Sequence, residues 1–449
     1  KQYKLVEKIN ELSVDINSED AIRYSLIKIE DIVVVEFGNF VAGPTSGQLL
    51  TDLGATVIKI EPPVGEPWRH SSPSSPPGES RLFIALNRGK KSVCIDLKTE
   101  AGQKVCHDIV SKADAVISNN RTSTSKKLKY DWDSLSKVNP KLVYVESTAY
   151  GPVGAKASEP GFDLIMQAYT GIMSTENKIY HGSPSAVRSS SYIDYSTGYA
   201  MALGVVSGVL QARATGKGLL LQTSLLAQAL SMQAMQIVNV ENDLSASQKW
   251  INSNKNKLLE ENVTYEKIQE EYSVQGGAPQ IAQYYRAYKT KNGALAIGCL
   301  AMHARKRIAS LFELEDVRFS SKNKFSAEEL LNIGKDFEKK MEEKFLEKNT
   351  DDWISYLRSH DIPCEPMLFT EELIDNKQAI ANNYIIELDH KTGAKVKSSG
   401  PIFNVSTGNS DLSSAPLLGE NTKEILLSIG YESNHIENLH KDLIVGKNL

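Results

Sequence analysis

One aspartate near the middle of the chain has the residue type and the setting of a nucleophile. Asp194 lies in the segment SSYIDYSTG, residues 190–198, just before an apolar stretch. We predict a helix over residues 199–213, at whose N-terminus free N–H groups and the helix dipole favour an ionised carboxylate. An ionised carboxylate in a dry cleft can attack an activated acyl group. Asp is also a common N-terminal cap, which is the alternative role for this residue.

Three cationic side chains follow predicted strands and suit a ligand that carries phosphates. Lys98 ends one predicted strand, and Arg121 and Lys127 lie just beyond another. Ligands of open parallel sheets bind at the carboxyl ends of the strands, so these cations are candidates for phosphate contacts. A solvated surface side chain is the alternative for each lysine.

The elements that must position these residues alternate between strands and helices. Apolar, β-branched runs predict strands at 32–37, 56–60, 92–97, 115–118, 142–146 and 219–222, with helices at 45–53, 99–112, 199–213 and 225–240. This rhythm predicts an α/β fold with a Rossmann-like, doubly wound parallel sheet. No G-x-G-x-x-G or Walker A sequence follows a strand, so a dinucleotide redox cofactor has no support.

The chain is long enough for more than one domain. Residues 1–30 are charged and helix-prone, and predict an appended helical arm. We predict a large Rossmann-like domain over residues 31–225, completed by 405–449, and a linker with a smaller α+β domain over 226–404. The polar run at 241–275 predicts a helical or partly mobile connection.

Composition excludes several classes of function. The 449 residues carry a net charge of −4, which gives no global support to a nucleic-acid surface. No apolar run is long enough to span a membrane, and the N-terminus lacks the apolar core of a secretory signal, so we expect a cytoplasmic protein. The four cysteines form no C-x-x-C pair and the eight histidines have no metal-ligand spacing, so no metal site is predicted.

A set of short motifs resembles the family III CoA-transferases, the carnitine and bile-acid CoA-transferase superfamily (CaiB/BaiF). Each motif is short, but their order and spacing hold from about residue 31 to the end of the sequence. They lie at residues 35–44, 53–62, 87–98, 113–119, 139–144, 160–163, 190–198, 213–218, 362–364 and 415–420.

The resemblance implies an interlocked homodimer and a covalent mechanism. Asp194 would be the nucleophile, and an aspartyl–CoA thioester would carry CoA from an acyl-CoA donor to a free carboxylic acid. Coenzyme A would be part of the substrate, with no tightly bound cofactor and no metal. Water must be excluded from such intermediates, and a glycine-containing turn at 275–277 is the candidate lid.

The resemblance also implies which residues bind CoA. The positions around the adenine are Ile95, Asp96, Leu97 and Lys98. Those near the rest of the CoA chain are Asn119, Asn120, Arg121 and Lys127. The backbone of Val41 and Ala42 would approach the pantetheine and the thioester. Asp163 would either lie near the Asp194 carboxylate or cap a helix over residues 164–169.

Two departures from the general family pattern bear on the substrate. The run Asn119-Asn120-Arg121-Thr122 resembles the branch that handles 2-hydroxy acids and aryl-lactates. Val41 stands where the oxalate-using branch has a glutamine, which argues against oxalate.

Three alternatives remain open on sequence alone. An α-methylacyl-CoA racemase of the same fold would need a histidine as a base before Asp163, and this chain has Phe162, which cannot transfer a proton. An intramolecular acyl-CoA isomerase would share the chemistry up to the enzyme–CoA thioester. A non-catalytic CoA-binding protein would need no nucleophile.

Overall fold

The computed structural model describes residues 29–71, 79–188, 190–241, 244–273, 281–320, 324–405 and 412–446. Residues 1–28 of the predicted N-terminal arm and the candidate lid at 275–277 lie outside these ranges. The chain divides into two compact units. The first contains the described residues up to 176, with 185–238 and those from 377 onward, and the second contains 177–184 and 239–376. The sequence had suggested boundaries at 225 and 405.

The described secondary structure alternates between strands and helices in the first part of the chain. The strands are β1 (Val33–Phe37), β2 (Thr56–Glu61), β3 (Lys91–Cys94), β4 (Ala115–Ser118), β5 (Val143–Thr148), β6 (Ile179–Tyr180), β7 (Ser183–Pro184), β8 (Leu219–Ser224), β9 (Tyr285–Lys289), β10 (Ala294–Gly298), β11 (Cys364–Pro366), β12 (Ile385–Asp389) and β13 (Lys395–Ser399). The α-helices are α1 (Ala42–Asp52), α2 (Arg81–Leu86), α3 (Glu100–Val110), α4 (Thr122–Lys127), α5 (Trp132–Val138), α6 (Asp163–Tyr169), α7 (Ile172–Glu176), α8 (Tyr192–Thr215), α9 (Leu225–Met232), α10 (Ala234–Ile237), α11 (Ala246–Glu260), α12 (Tyr265–Ser273), α13 (Met302–Leu311), α14 (Ala327–Phe345), α15 (Thr350–Arg358), α16 (Lys377–Ala381), α17 (Thr422–Ser428) and α18 (Ser433–Lys441).

The first unit is built on a six-stranded parallel sheet of order β3-β2-β1-β4-β5-β8. The strand order reverses between β1 and β4, so the loops after these two strands leave toward opposite faces of the sheet. That reversal opens a crevice at the carboxyl ends of the strands, where open α/β sheets bind ligands. The predicted Rossmann-like α/β class is confirmed.

Both faces of this sheet are covered, as the continuous apolar strands require. One face packs against α3, α5, α17 and α18, and the other packs against α1 and α8. Two glycines let α8 approach its neighbours closely. A Cβ on Gly198 would lie 2.7 Å from Thr45 Cβ, and one on Gly208 would lie 2.5 Å from Val143 Cγ1. The helix that carries Asp194 is therefore fixed against both α1 and the sheet.

The outer edge of β3 is covered by a segment distant in sequence. Ser92 N–H donates to Asn421 Oδ1 at 3.0 Å, and Asn421 N–H donates to Ser92 O at 2.9 Å. Ile95 forms an antiparallel bridge with Val445. An edge strand that would otherwise expose its backbone groups is thus paired.

The second unit has its own apolar core around a three-stranded antiparallel sheet of order β11-β10-β9. Helices α13, α14 and α15 pack on this sheet, and the aromatic rings of Tyr288, Phe345 and Trp353 meet in the centre. This is the α+β architecture expected for the smaller domain.

Two predicted helices differ from the observed ones. The helix expected from residue 199 begins at Tyr192, so Asp194 lies inside its first turn. The helix expected over 225–240 is interrupted at Gln233, which ends α9 and precedes α10. Thr99, where the helix over 99–112 was expected to begin, caps α3, since its Oγ1 accepts the Gly102 N–H at 3.0 Å.

In the described ranges, none of the helices has the length and apolar character that crossing a membrane would require.

Candidate active site

A cavity of about 680 Å³ lies in the first unit beside the carboxyl ends of β1, β4, β5 and β8. Its walls come from the loops after these strands, from α4 and from the segment before α6. The carboxylate-bearing residue Asp194 lines it from α8. The other lining residues are Asn39, Phe40, Ala42, Asn119, Asn120, Arg121, Thr122, Ser123, Thr124, Lys126, Glu146, Ser147, Thr148, Ala149, Pro152, Ala157, Ser158, Glu159, Pro160, Gly161, Phe162, Gln222 and Leu225.

Three asparagines join the loops after β1 and β4 at the base of this cavity. Asn119 Oδ1 accepts the Asn39 N–H at 2.9 Å, and Asn119 Nδ2 donates to Asn39 O at 2.8 Å. Asn120 Oδ1 accepts from Asn39 Nδ2 at 2.7 Å, and Asn120 Nδ2 donates to Phe37 O at 2.8 Å. These amides satisfy the backbone where the two strands diverge, which holds the crevice open in one geometry.

A second carboxylate lies directly behind Asp194. Asp163 Oδ2 accepts the backbone N–H of Ile193 at 2.8 Å and that of Asp194 at 3.3 Å. Gln167 Nε2 donates to the other carboxylate oxygen and fixes its orientation. Asp163 therefore caps α8 from a helix 30 residues earlier in the chain.

This arrangement corrects the expected electrostatics of Asp194. The sequence suggested that the helix N-terminus would favour its ionised form, but Asp163 takes two of the free amide groups there. Burial and the neighbouring negative charge of Asp163 instead raise the pKa of Asp194 to about 7. Asp194 is not the cap of its helix, and its carboxylate is left facing the cavity. A carboxyl group perturbed in this way is typical of a catalytic position.

A cluster of buried charges supports the turn that leads from β1 into α1. Lys59 Nζ lies 2.8 Å from Glu36 Oε1 and 3.1 Å from Glu66 Oε1, and donates to Gly38 O at 2.6 Å. Lys90 Nζ lies 2.8 Å from Glu36 Oε2 and donates to Pro44 O at 2.8 Å. We call Glu36, Lys59, Glu66 and Lys90 the buried ion cluster. It ties the backbone on both sides of Asn39, Phe40 and Ala42, which line the cavity.

The structure brings together only part of the predicted site. Five of the predicted residues line the cavity: Ala42, Asn119, Asn120, Arg121 and Asp194. Asp163 accepts a hydrogen bond from the backbone N–H of Asp194. Val41 is buried at the start of α1, outside the lining. The remaining residues also lie outside it: Ile95, Asp96, Leu97 and Lys98, which follow β3, and Lys127, which ends α4.

The sequence reasoning missed most of the lining side chains, among them Phe40, Lys126, Glu146 and Gln222. Lys126, rather than Lys127, lines the cavity with Arg121, because the phase of the short helix α4 decides which lysine faces inward. Glu146 and Gln222 are direct neighbours on β5 and β8, and Gln222 Nε2 donates to Glu146 Oε1 at 2.6 Å. Phe40 also faces the cavity. Polar residues at the ends of buried strands were the available signal for Glu146 and Gln222.

Among the described residues, no three His, Cys, Asp or Glu side chains lie close enough together to hold a metal ion. The four cysteines are all buried free thiols.

Most of the chain resembles known CoA-transferases. The sequence profile of CoA-transferase family III matches residues 29–422. The cinnamoyl-CoA:phenyllactate CoA-transferase of Clostridium sporogenes is 30% identical over 92% of this chain and 95% of its own length. The (R)-2-hydroxy-4-methylpentanoate CoA-transferase of Clostridioides difficile is 28% identical over 93% of this chain and 99% of its own length.

A solved structure has the same fold. A CaiB/BaiF family protein from Brucella suis superposes with a TM-score of 0.69 at 24% identity, covering 89% of this chain and 99% of that one. Together with the profile match over nearly the whole sequence, these likenesses establish that the chain belongs to CoA-transferase family III and is a CoA-transferring enzyme.

Proposed function

We propose that this enzyme transfers CoA through an aspartyl–CoA thioester on Asp194. The observation that carries the proposal is the Asp194 carboxylate, which lines the cavity at the carboxyl ends of the strands and has no ion-pair partner among the described residues. A nucleophile needs such a free, partly desolvated carboxylate. Asp163 supports it by satisfying the helix amides that would otherwise bind the Asp194 oxygens.

The proposed chemistry proceeds through two anhydrides. An Asp194 oxygen attacks the donor thioester carbonyl, the C–S bond breaks, and CoA leaves as a thiolate. The thiolate attacks the Asp194 carbonyl carbon and releases the donor acid, which leaves the aspartyl–CoA thioester. The acceptor carboxylate then attacks this thioester, and the released thiolate attacks the new acyl carbon to form product. Asp194 is restored as a carboxylate, and the energy of the acyl bond is conserved throughout.

The CoA moiety would bind across the same edge of the sheet. Arg121 and Lys126 supply positive charge at the cavity wall, which suits a phosphate or a carboxylate. Lys98 is exposed beyond β3, and we propose that the segment 95–98 lies against the adenine end of CoA. The Val41–Ala42 backbone at the start of α1 would approach the thioester.

For the substrate acids we propose 2-hydroxy acids with an aryl or branched aliphatic side chain. The two relatives named above act on phenyllactate and on (R)-2-hydroxy-4-methylpentanoate, by their names. The sequence of residues 119–122 also resembles the branch that handles 2-hydroxy acids and aryl-lactates. Such acids combine an apolar side chain with a polar hydroxyl, and the cavity offers both apolar and polar walls.

We also propose an interlocked homodimer as the working assembly. The surface of the first unit carries large exposed apolar side chains on α8 and around α10. Leu203 is 70% exposed, Met235 86% and Val238 70%. Large apolar side chains exposed to this extent favour burial in a protein interface. Light scattering at several concentrations tests the proposal, and a stable, fully folded monomer would contradict it.

Two alternatives of the same fold make different predictions. A racemase would need a base at residue 162, where this chain has a phenyl ring. An intramolecular isomerase would retain the freed acid, so a labelled free acid would not enter its product. Incorporation of labelled acceptor acid into product acyl-CoA supports intermolecular transfer.

Mass spectrometry of the intact protein after mixing with acyl-CoA donors tests the covalent step. We expect a CoA adduct that hydroxylamine converts to a hydroxamate on the peptide carrying Asp194. The matched control is Asp194→Asn, which preserves the shape of the side chain and removes the nucleophile. An adduct that persists in Asp194→Asn would place the nucleophile elsewhere.

A further inference from the structure

Two aromatic rings form one wall of the cavity that contains Asp194. Phe40 and Phe162 both line the cavity and meet edge to face, with ring centroids 5.8 Å apart and planes at 86°. Phe162 is 57% exposed, although a phenyl ring gains free energy by burial. It directly precedes Asp163 in the chain. An exposed ring at this position offers an apolar contact surface close to the reacting carboxylate.

The second ring is held in an unusual backbone conformation. Phe40 has φ of +62°, a region that bulky residues rarely adopt. Its N–H donates to Glu66 Oε2 at 3.0 Å, and its ring packs edge to face on Trp68 at 6.0 Å. Glu66 is almost fully buried and is ion-paired to Lys59. The hydrogen bond from Phe40 N–H to Glu66 therefore connects the cavity wall to the buried ion cluster.

We propose that Phe40 and Phe162 are specificity-determining residues that bind the side chain of the transferred acyl group, and that Glu66 is a positioning residue for Phe40. The proposal rests on the proposed function, because it assumes that the acyl carbon reaches Asp194. Two perpendicular rings offer one face and one edge, so a planar aromatic side chain can pack against both at once. A two-carbon aliphatic chain would contact little of this wall.

The proposed preference is tested with two donors that differ only in a phenyl ring. The donors are 3-phenylpropanoyl-CoA and propanoyl-CoA, and the readout is the second-order rate of CoA-adduct formation in a single turnover, which needs no acceptor. Phe162→Ala should lower the rate with the phenyl donor on the order of tenfold, while the propanoyl rate changes less than about twofold.

The matched control is Phe369→Ala, which removes a ring that is 76% exposed in the second unit and lies outside the cavity lining. It should leave both rates unchanged. An equal fall with both donors in Phe162→Ala, or no fall with either, would overturn the specificity proposal while the proposed function stands. If the unchanged enzyme forms no adduct with either donor, the proposed function fails and the specificity proposal falls with it.

The positioning role needs variants that separate it from a purely structural one. Phe40→Gly removes the ring at a backbone conformation that glycine adopts freely, so the fold should persist while the aromatic preference falls. Glu66→Gln keeps an acceptor for the Phe40 N–H and should keep most of the preference. Glu66→Ala should lose it. If the ratio of the two rates is the same in all three variants and in the unchanged enzyme, the positioning role is wrong.

Discussion

Two groups of carboxylates lie at the same edge of the sheet and differ in the charges beside them. Glu36, Glu66 and Asp163 are buried, and Asp194 is half-buried. In the buried ion cluster, the carboxylates of Glu36 and Glu66 alternate with two ammonium groups, and all four side chains are at most 3% exposed. In the pair Asp163 and Asp194, two negative charges adjoin each other, and neither has a cationic partner in the part of the chain that the structure describes.

The difference separates a structural group from a reactive one. A balanced cluster satisfies each charge and holds backbone in place, as Lys59 and Lys90 do for the turn after β1. In the unbalanced pair, burial and the neighbouring negative charge of Asp163 together raise the pKa of Asp194. The sign of the neighbouring charges distinguishes the two groups.

The largest expected effect is on the reactive side of this comparison. Asp194→Ala should lower CoA transfer on the order of 10⁴-fold, because the covalent intermediate is lost. Transfer rates with an acyl-CoA donor and a 2-hydroxy acid measure the loss, and circular dichroism checks that the fold is retained. Residual transfer within tenfold of the unchanged enzyme would remove Asp194 from the reactive role.

On the structural side, Lys59→Met should lower the free energy of unfolding by about 3–5 kcal/mol, because it leaves two buried carboxylates without their shared cation. Urea denaturation measures the change. Lys104→Met is the matched control, since Lys104 forms an exposed pair with Asp108 at 3.0 Å, and it should cost no more than about 0.5 kcal/mol. Equal losses in the two variants would contradict the distinction between buried and exposed pairs.

A smaller effect should appear in how stability depends on pH. The folded-state pKa of Asp194, about 7, exceeds the ordinary value of 3.8, so ionisation in the folded state costs free energy that grows as pH rises from about 4 to about 7. Asp194→Asn removes that cost. The full shift corresponds to about 4 kcal/mol, and partial exposure of the carboxylate to water reduces this cost. The variant should therefore be more stable than the unchanged enzyme by on the order of 2 kcal/mol at pH 8 and nearly equally stable near pH 4. Thermal and urea unfolding across this range provide the measurement, and a gap independent of pH would contradict the raised pKa.

The smallest expected change tests how far the charge of Asp163 raises the pKa of Asp194. Asp163→Asn keeps an oxygen to accept the α8 amides but removes the like charge, so the pKa of Asp194 should fall. The acidic limb of the pH dependence of adduct formation should therefore move from about pH 7 to lower pH, by on the order of one unit. Gln167→Glu would add a negative charge nearby and should move the limb the other way. An unmoved limb in both variants would show that burial alone sets the pKa.

Much of the sheet could be predicted because its signals are local. Runs of β-branched residues locate the strands, and β4 was predicted with the bounds that the structure has. The start of α8 was missed by seven residues, since its first two turns, residues 192–198, have no apolar periodicity. Asp163 stabilises this end of α8 from a distant helix. Long-range hydrogen bonds of this kind leave no spacing signal in the sequence.

Site residues that belong to a family motif could be predicted from the sequence. Residues whose role depends on buried charge pairs could not. Asp194 and the asparagines after β4 were identified through the family motifs, and they do line the cavity. Lys59 and Lys90 look in sequence like ordinary surface lysines, although both are buried. The parallel register of β1 and β2 places Glu36 directly beside Lys59, a pairing that has no local signal in the sequence.

The covered edge of β3 also constrains how the protein is made on the ribosome. The residues that pair with Ser92 lie 329 positions later in the chain. At roughly 5–20 residues translated per second, the outer edge of the nascent sheet waits on the order of 15–65 s for its partner. During that interval a chaperone or a neighbouring nascent chain has access to an unpaired strand. The short length of β3, four residues, limits how much such a rival contact can gain.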